Sequence, residues 1–511
     1  MKIPSIMSTQ HPDCASLPDW VHGKRITNSD EIKEALFAFK LGCDEQLWDW
    51  EGKDVDSHVV RKLLLLDQKY FRENVLGEDL FITYRVPNPD LEGTEKKLIV
   101  EALESIPKGA DIARKFYGKD VDPIFEVAIP MTTSHLQMLR VSSFYDKAVV
   151  GKGEIEFHPE IERLDVKSWI GEIFPKSINI IPLVEGAEAM LNIESILEGF
   201  IDKKRVEHMR PWLARSDPAL YYGNIPCVLM VKIASSKIWE VEAKTGVKMY
   251  PIIATGSLPF RGHLRPDNID GFLQEYSGFK TFAFQSAMKY DFPERDVRKA
   301  VKKIKEHRLK KKVMDADESR ELERIIGAFS EEYKETIKGM APMINKFSPF
   351  VPGRRTRSLH IGLFGYSRKL TSGVHLPRAI EFTAALYSLG IPPEVIGMRG
   401  WGKVEKAGLK DLLLKHYTNF RKDMAFASRF LCEANIAELK RKGLISKKTA
   451  GELERDAEMV KGLDIKIGPQ NLQDENHILL SKMAVEGFGK LSSGEMTDVV
   501  ERAAHIRKSL G

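Results

Sequence analysis

The sequence predicts an α/β protein centred on a (β/α)8 barrel of the TIM type, with extensive additional α-helices and an all-helical C-terminal region. Eight short apolar or aromatic runs each stop near a polar residue, and their ends mostly lie roughly 30 to 55 residues apart, the length of one strand and helix. Eight units favour a closed barrel over an open sheet, and the sequence has neither GxGxxG nor GxxxxGK[ST]. In chain order the runs end near Glu51, Arg85, Glu126 to Thr133, Glu185, Asp217, Gly256, Gln285 and Arg368.

The composition is that of a globular protein with a large core, since 43% of the 511 residues are hydrophobic and 30% are charged. We expect one large domain carrying the catalytic site, with the barrel at about 45–380 and a helical layer at about 380–511. No apolar tract is long enough to span a membrane, and the N-terminus lacks an apolar signal core. The four cysteines are scattered and suit free thiols. These features predict a cytoplasmic protein without a membrane partner.

A basic cluster, KAVKKIKEHRLKKK, spans residues 299–312. One interpretation is nucleic-acid binding, and the other is the solvated face of a charged helix. The second is favoured because no aromatic side chains for base stacking are interleaved with the lysines, and an acidic stretch follows them. We therefore expect no nucleic-acid partner.

Two of the apolar runs stop at carboxylates that could share a metal ion. Residues 178–184 form a β-branched run that ends at Glu185, and the run at 212–214 is followed by Asp217, with a helical segment between the two runs. A right-handed crossover would place both carboxylates at the carboxyl edge of a parallel sheet. Either residue alone is more often a helix cap or a loop charge. Together they suit Mg²⁺ or Mn²⁺, which take few protein ligands alongside waters and substrate oxygens.

Arginines also cluster at or just beyond the predicted strand ends, and a guanidinium group matches phosphate and carboxylate oxygens in pairs. Each alone is equally well read as a surface salt bridge. As a group they predict a small, multiply anionic substrate, bound with the help of a glycine-bearing loop that contributes Gly256 and Ser257. The arginines are Arg85, Arg215, Arg261, Arg368 and Arg378. At the N-terminus, His11 lies in STQHPD and could transfer protons near neutral pH.

These residues match a family as a set. The chain resembles phosphoenolpyruvate carboxylase, and more closely its short, archaeal-type form, through STQHPD, IPLVEGAEAML, ARSDPALYYG, TGSLPFRGHLRP, FQSAMKYDFP and PGRRTRSLHIGLFGYSR. The resemblance implies that Glu185 and Asp217 bind the divalent metal, and that His11 and Arg261 are catalytic. It matches Arg368 and Arg378 to a pair in the long form, and Arg85 more weakly to an early strand-end arginine.

The reaction implied by the resemblance joins phosphoenolpyruvate and bicarbonate to give oxaloacetate and phosphate, through carboxyphosphate and the enolate of pyruvate, and so replenishes C4 acids. A homotetramer is also implied. The loop at 255–266 is expected either to close over the enolate as a lid or to bind phosphate as a rigid loop. Two rival functions stay open at this point: another metal-dependent barrel enzyme of enolate chemistry, such as a carbon–carbon lyase, and a non-enzymatic scaffold or nucleic-acid binder using the basic helix.

Overall fold

The computed structural model describes residues 2–52, 55–161, 164–356 and 374–511. Ten short strands lie in these ranges: β1 (Ile6–Ser8), β2 (Glu45–Asp49), β3 (Phe81–Arg85), β4 (Glu126–Ile129), β5 (Asn179–Val184), β6 (His208–Met209), β7 (Trp212–Ala214), β8 (Lys248–Met249), β9 (Ile252–Ala254) and β10 (Thr281–Phe284). None of the helices in these ranges is both long and apolar enough to cross a membrane.

Eight of the strands close into a parallel barrel in the order β1-β2-β3-β4-β5-β7-β9-β10, with β10 paired back to β1. The prediction of a (β/α)8 barrel is therefore confirmed. Strand β5 pairs with β7 in the register Leu183 to Trp212 and Val184 to Leu213. Strands β6 and β8 form a separate two-stranded parallel sheet just before β7 and β9.

The membership of the barrel differs from the prediction, although the number of strands agrees. The first strand is Ile6–Ser8, so the barrel starts well before residue 45, and its last strand ends at Phe284. The run expected as the eighth strand, at 358–368, lies outside the described residues. A three-residue strand directly followed by polar residues leaves no hydrophobic pattern by which to recognise it.

The helices that return the chain between barrel strands, and the long helical segment after the last strand, are α1 (Asn28–Leu41), α2 (Val59–Leu66), α3 (Gln68–Glu73), α4 (Leu98–Tyr117), α5 (His135–Phe144), α6 (Val166–Ile170), α7 (Ala187–Leu191), α8 (Ile193–Lys203), α9 (Ser216–Tyr222), α10 (Asn224–Thr245), α11 (Ile269–Glu275), α12 (Ser286–Tyr290), α13 (Glu294–Glu306) and α14 (Ala316–Phe347). Several begin at capping residues: Asp315 accepts a hydrogen bond from the Glu318 N–H at the start of α14.

The C-terminal region is all helical in its described part, as predicted. It contains α15 (Ala379–Ser388), α16 (Gly400–Lys406), α17 (Lys410–His416), α18 (Phe420–Ser428), α19 (Glu433–Arg441), α20 (Lys447–Lys461), α21 (Leu472–Gly487) and α22 (Ser493–Arg507). After α22 the chain returns to the barrel, where the Leu510 N–H donates to the carbonyl of Asp13. The division of the chain into one domain stays a prediction.

A buried cluster of charged side chains closes the amino-terminal end of the barrel. Arg210, which precedes β7, donates to Glu45 and Glu126, the first residues of β2 and β4, and to the hydroxyl of Thr281. The side chains of Arg210 and Glu45 are fully buried and lie 2.7 Å apart. The two carboxylates offset the buried guanidinium charge, so this end of the barrel is built for stability.

Candidate active site

A cavity of about 170 Å³ opens at the carboxyl ends of the barrel strands. Seven of the predicted site residues line it: His11, Arg85, Glu185, Arg215, Asp217, Arg261 and Arg378. These residues follow five different strands, with Arg378 added by the N-terminus of α15. Carboxyl ends of parallel strands meet at one rim of a barrel, which is why residues so far apart in sequence converge here.

The two expected metal ligands follow neighbouring strands. Glu185 comes directly after β5, and Asp217 lies in the first turn of α9, three residues beyond β7. No group of three or more His, Cys, Asp or Glu side chains that could hold a metal occurs in the described part of the chain. The two carboxylates nevertheless fit a hard divalent cation that takes its remaining oxygens from water and substrate.

Arg215 lines the cavity and is arranged to bind an anion. It is fully buried, and its guanidinium donates to neutral acceptors: the Tyr276 hydroxyl at 3.0 Å, the Asn224 side-chain carbonyl at 2.7 Å and the backbone carbonyl of Pro259. Its Nη1 is buried and has no hydrogen-bond partner among the described residues. A buried cation held by neutral groups is costly unless an anion completes it.

Arg261 is held on all sides at the cavity wall. Its Nε donates to the Ser216 hydroxyl at 3.0 Å, Nη1 donates to the carbonyl of Gly511 at 2.5 Å, and Nη2 donates to the side chain of Gln285. The carboxylate of Asp13 lies 3.4 Å from Nη1. Burial lowers the pKa of Arg261 and raises that of Asp13 from their ordinary values. The guanidinium is therefore fixed in orientation before any substrate arrives.

Arg85 differs because carboxylates already offset its charge. Its Nε and Nη2 donate to the two carboxylate oxygens of Asp49 at 2.8 and 2.7 Å, and Glu51 lies 3.4 Å away. A guanidinium paired in this way has less to offer an anionic substrate than Arg215. Its predicted catalytic role stays a prediction.

Gly256 and Ser257 were predicted to bind substrate, but neither is among the described residues that line the cavity. The N–H of Gly256 donates to the carbonyl of Arg261 at 2.7 Å, and a Cβ at Gly256 would lie 3.1 Å from three atoms of the Arg261 side chain. The geometry thus makes Gly256 a support for Arg261. Arg368 lies outside the described residues.

The loop at 255–266 is tied to α14 and to the C-terminal region at several points. The Phe260 N–H donates to Glu394 at 2.7 Å, the Phe260 ring stacks on Tyr333 and Phe382, and the His263 ring lies 2.6 Å from Asp423. Every residue from 255 to 265 is buried. These contacts favour the rigid-loop alternative over the lid.

Several cavity residues were not given a role from the sequence: Glu51, Glu92, Ser216, Gln285 and Glu381. Glu51 and Gln285 stand at ends of predicted strands, so the strand pattern pointed to them. Glu92 and Glu381 follow no strand, and no sequence signal set them apart.

Comparison with known proteins identifies the family. The sequence model of a family described as phosphoenolpyruvate carboxylase matches residues 3–511. The phosphoenolpyruvate carboxylase of Metallosphaera sedula is 40% identical over 511 residues, covering 100% of this chain and 99% of the relative. Those of Methanothermobacter thermautotrophicus and Pyrococcus abyssi are 46% and 45% identical, each over 84% of this chain and over 87% and 88% of the relative.

The chain belongs to the phosphoenolpyruvate carboxylase family. It is therefore an enzyme, a carboxy-lyase. The resemblance first seen in short motifs extends over the whole chain, so both rivals, a different enolate enzyme and a non-enzymatic binder, lose their support. In the basic cluster, Lys303 pairs with Asp270 at 2.7 Å and Lys305 with Asp44 at 2.8 Å, and the expectation of no nucleic-acid partner stays a prediction.

Proposed function

We propose that this chain carboxylates phosphoenolpyruvate with bicarbonate, giving oxaloacetate and phosphate, in the cavity at the carboxyl ends of the barrel strands. The observation that carries the proposal is the convergence of Glu185, Asp217 and the buried, neutrally partnered Arg215 on one cavity. Phosphoenolpyruvate carries a phosphate and a carboxylate, so it needs cationic groups at two points. Arg215 and Arg378 supply them from distant parts of the sequence, and Arg368 is proposed as a third.

The first step is attack of a bicarbonate oxygen on phosphorus with cleavage of the bond to the enol oxygen, which yields carboxyphosphate and the pyruvate enolate. Arg261 neutralises charge on the transferring phosphoryl group, and its four partners keep it from reorienting as that charge moves. His11 accepts the carboxyl proton of carboxyphosphate, which then separates into CO₂ and phosphate. The enolate carbon attacks CO₂ to form the new carbon–carbon bond.

Mg²⁺, or Mn²⁺ in its place, is proposed at Glu185 and Asp217, where a bound divalent cation would supply positive charge that stabilises the enolate. The chain's own contribution there is to hold the two carboxylates on neighbouring strand ends of a closed barrel. The cytoplasm is proposed as the site of action, and the four free, buried cysteines support a reducing compartment. A homotetramer is proposed from the family resemblance, and light scattering would measure it.

The proposal is tested by following phosphate and oxaloacetate release from phosphoenolpyruvate, with bicarbonate and Mg²⁺ each present or withheld. We expect equal release of both products, dependent on both additions. The Glu185→Gln variant serves as the matched control because it keeps the shape of the side chain and removes its charge. Phosphate release without oxaloacetate would refute the carboxylation and indicate a phosphatase, and no release with any divalent metal would refute the proposal as a whole.

A further inference from the structure

Thr9 is a buried residue that does not itself line the described cavity. It contacts His11, which does. It follows β1 directly, is 1% exposed, and its hydroxyl oxygen lies 2.9 Å from Nδ1 of His11. The same hydroxyl lies 3.0 Å from the backbone carbonyl of Phe284, the last residue of β10. When both contacts are hydrogen bonds, they fix which atom donates in each.

A carbonyl oxygen can only accept a hydrogen bond, so the single hydroxyl proton of Thr9 must point at Phe284 when that bond is made. The hydroxyl oxygen can then only accept from His11, which requires a proton on Nδ1 of the imidazole ring. In a neutral imidazole the other nitrogen, Nε2, consequently carries the lone pair.

The backbone on both sides of this pair is held by bonds that do not involve the Thr9 hydroxyl. The Thr9 N–H donates to the Phe284 carbonyl at 2.9 Å, the Lys289 ammonium donates to the Thr9 carbonyl at 2.8 Å, and the Ser286 N–H donates to the His11 carbonyl at 3.1 Å. The hydroxyl is therefore not needed to place the chain. Its remaining contact is with the ring of His11.

We propose that Thr9 is a positioning residue that holds His11 in the tautomer with the proton on Nδ1, which presents Nε2 as the base for the carboxyl proton of carboxyphosphate. This inference rests on the role given to His11 under the proposed function. With the other tautomer, Nε2 would carry a proton, and the ring would meet its substrate as a donor where a base is required. Orienting groups of this kind set the efficiency of a catalytic histidine.

Two substitutions separate the hydroxyl from the shape of the side chain. Thr9→Val keeps the branched shape and removes the hydroxyl, and leaves the Phe284 carbonyl bonded to the Thr9 N–H. Thr9→Ser keeps the hydroxyl and removes a methyl group. We expect Thr9→Val to lower kcat by about 10- to 100-fold with the KM for phosphoenolpyruvate within about 3-fold, and Thr9→Ser to retain kcat within about 3-fold. Thr245→Val, at the end of α10, is the control for the effect of a threonine-to-valine substitution as such.

¹⁵N NMR of the histidine-labelled enzyme determines the tautomer of His11, and this measurement does not require catalysis. The spectrum of a His11→Gln variant identifies the His11 signals among those of the 13 histidines. We expect the imidazole proton of His11 on Nδ1 in the wild type and in Thr9→Ser. In Thr9→Val we expect this proton to be absent from Nδ1 or to exchange between the two ring nitrogens. A wild-type ring protonated on Nε2, equal kcat losses in Thr9→Val and Thr9→Ser, or an unchanged kcat in Thr9→Val would each overturn it. Because the NMR result does not depend on oxaloacetate formation, failure of the proposed reaction is recognised separately.

Discussion

Substitution of Gly256 by alanine tests whether the orientation of Arg261, and not only its charge, supports catalysis. The new Cβ would lie 3.1 Å from Cβ, Cζ and Nη1 of Arg261, where ordinary contact begins at 3.4 Å, so the guanidinium must shift by roughly 0.3 Å. The Gly256 backbone lies outside the left-handed region, so alanine adds no backbone strain. The three atoms nearest to the new Cβ all belong to Arg261, so its position is what the substitution perturbs first.

The size of the effect follows from that shift. A misplacement of about 1 Å costs about 100-fold in rate, so a shift of roughly 0.3 Å predicts a kcat about 3- to 10-fold lower. The assay couples oxaloacetate formation to NADH oxidation by malate dehydrogenase, and circular dichroism follows thermal unfolding. Gly327→Ala in α14 is the matched control, because its Cβ would have no neighbour within 4 Å. Wild-type kcat in Gly256→Ala, or a melting temperature much lower than that of the wild type, would refute the reasoning.

Three further predictions concern the metal, the substrate and the buried acids. Asp217→Asn should raise the Mn²⁺ concentration needed for activation by at least about 10-fold, and electron paramagnetic resonance of bound Mn²⁺ checks this without turnover; an unchanged titration would contradict the metal site. Arg215→Met should lower kcat/KM for phosphoenolpyruvate by about 10- to 100-fold, because it removes a cavity guanidinium whose Nη1 has no hydrogen-bond partner among the described residues; an unchanged kcat/KM would contradict this. Burial raises the pKa of Glu394 to about 7, so the folded state keeps a proton that the unfolded chain releases, and stability falls as pH rises from about 4.5 to 7. In urea unfolding, the free energy of unfolding of the wild type should decrease between pH 5 and pH 8 by up to about 3 kcal/mol more than that of Glu394→Gln. Parallel pH profiles for variant and wild type would rule this out.

The fold was predictable to the extent that each strand carries its own pattern. The run at 178–184 is rich in β-branched residues and is apolar except at Asn179, and the strand lies at Asn179–Val184. The strand Ile6–Ser8 has only three residues, and it forms because β2 and β10 offer it unsatisfied backbone groups on both sides. Such a strand is specified by its neighbours, so no local reading of the sequence could find it.

The site was predictable where a residue ends a strand and not where it depends on tertiary contacts. Glu185 and Asp217 line one cavity, which the crossover rule explains because it fixes the edge of the sheet that they share, and their metal-binding role stays a prediction. The sequence could not tell that Gly256 supports Arg261, because that contact depends on how the loop folds back on itself. Nor could it tell that Asp49 offsets the charge of Arg85, since the pair is formed across two strands.

The contrast between Arg210 and Arg215 shows why residue type alone does not define the site. The two arginines lie five positions apart, flank the same strand β7, and are both fully buried. At the amino-terminal end, Arg210 meets Glu45 and Glu126, so its charge is balanced by the protein itself. At the carboxyl end, Arg215 is held by the hydroxyl of Tyr276 and the amide of Asn224, which orient the guanidinium without neutralising it. The same charge therefore stabilises the barrel at one end of the strand and is kept available for an anionic substrate at the other.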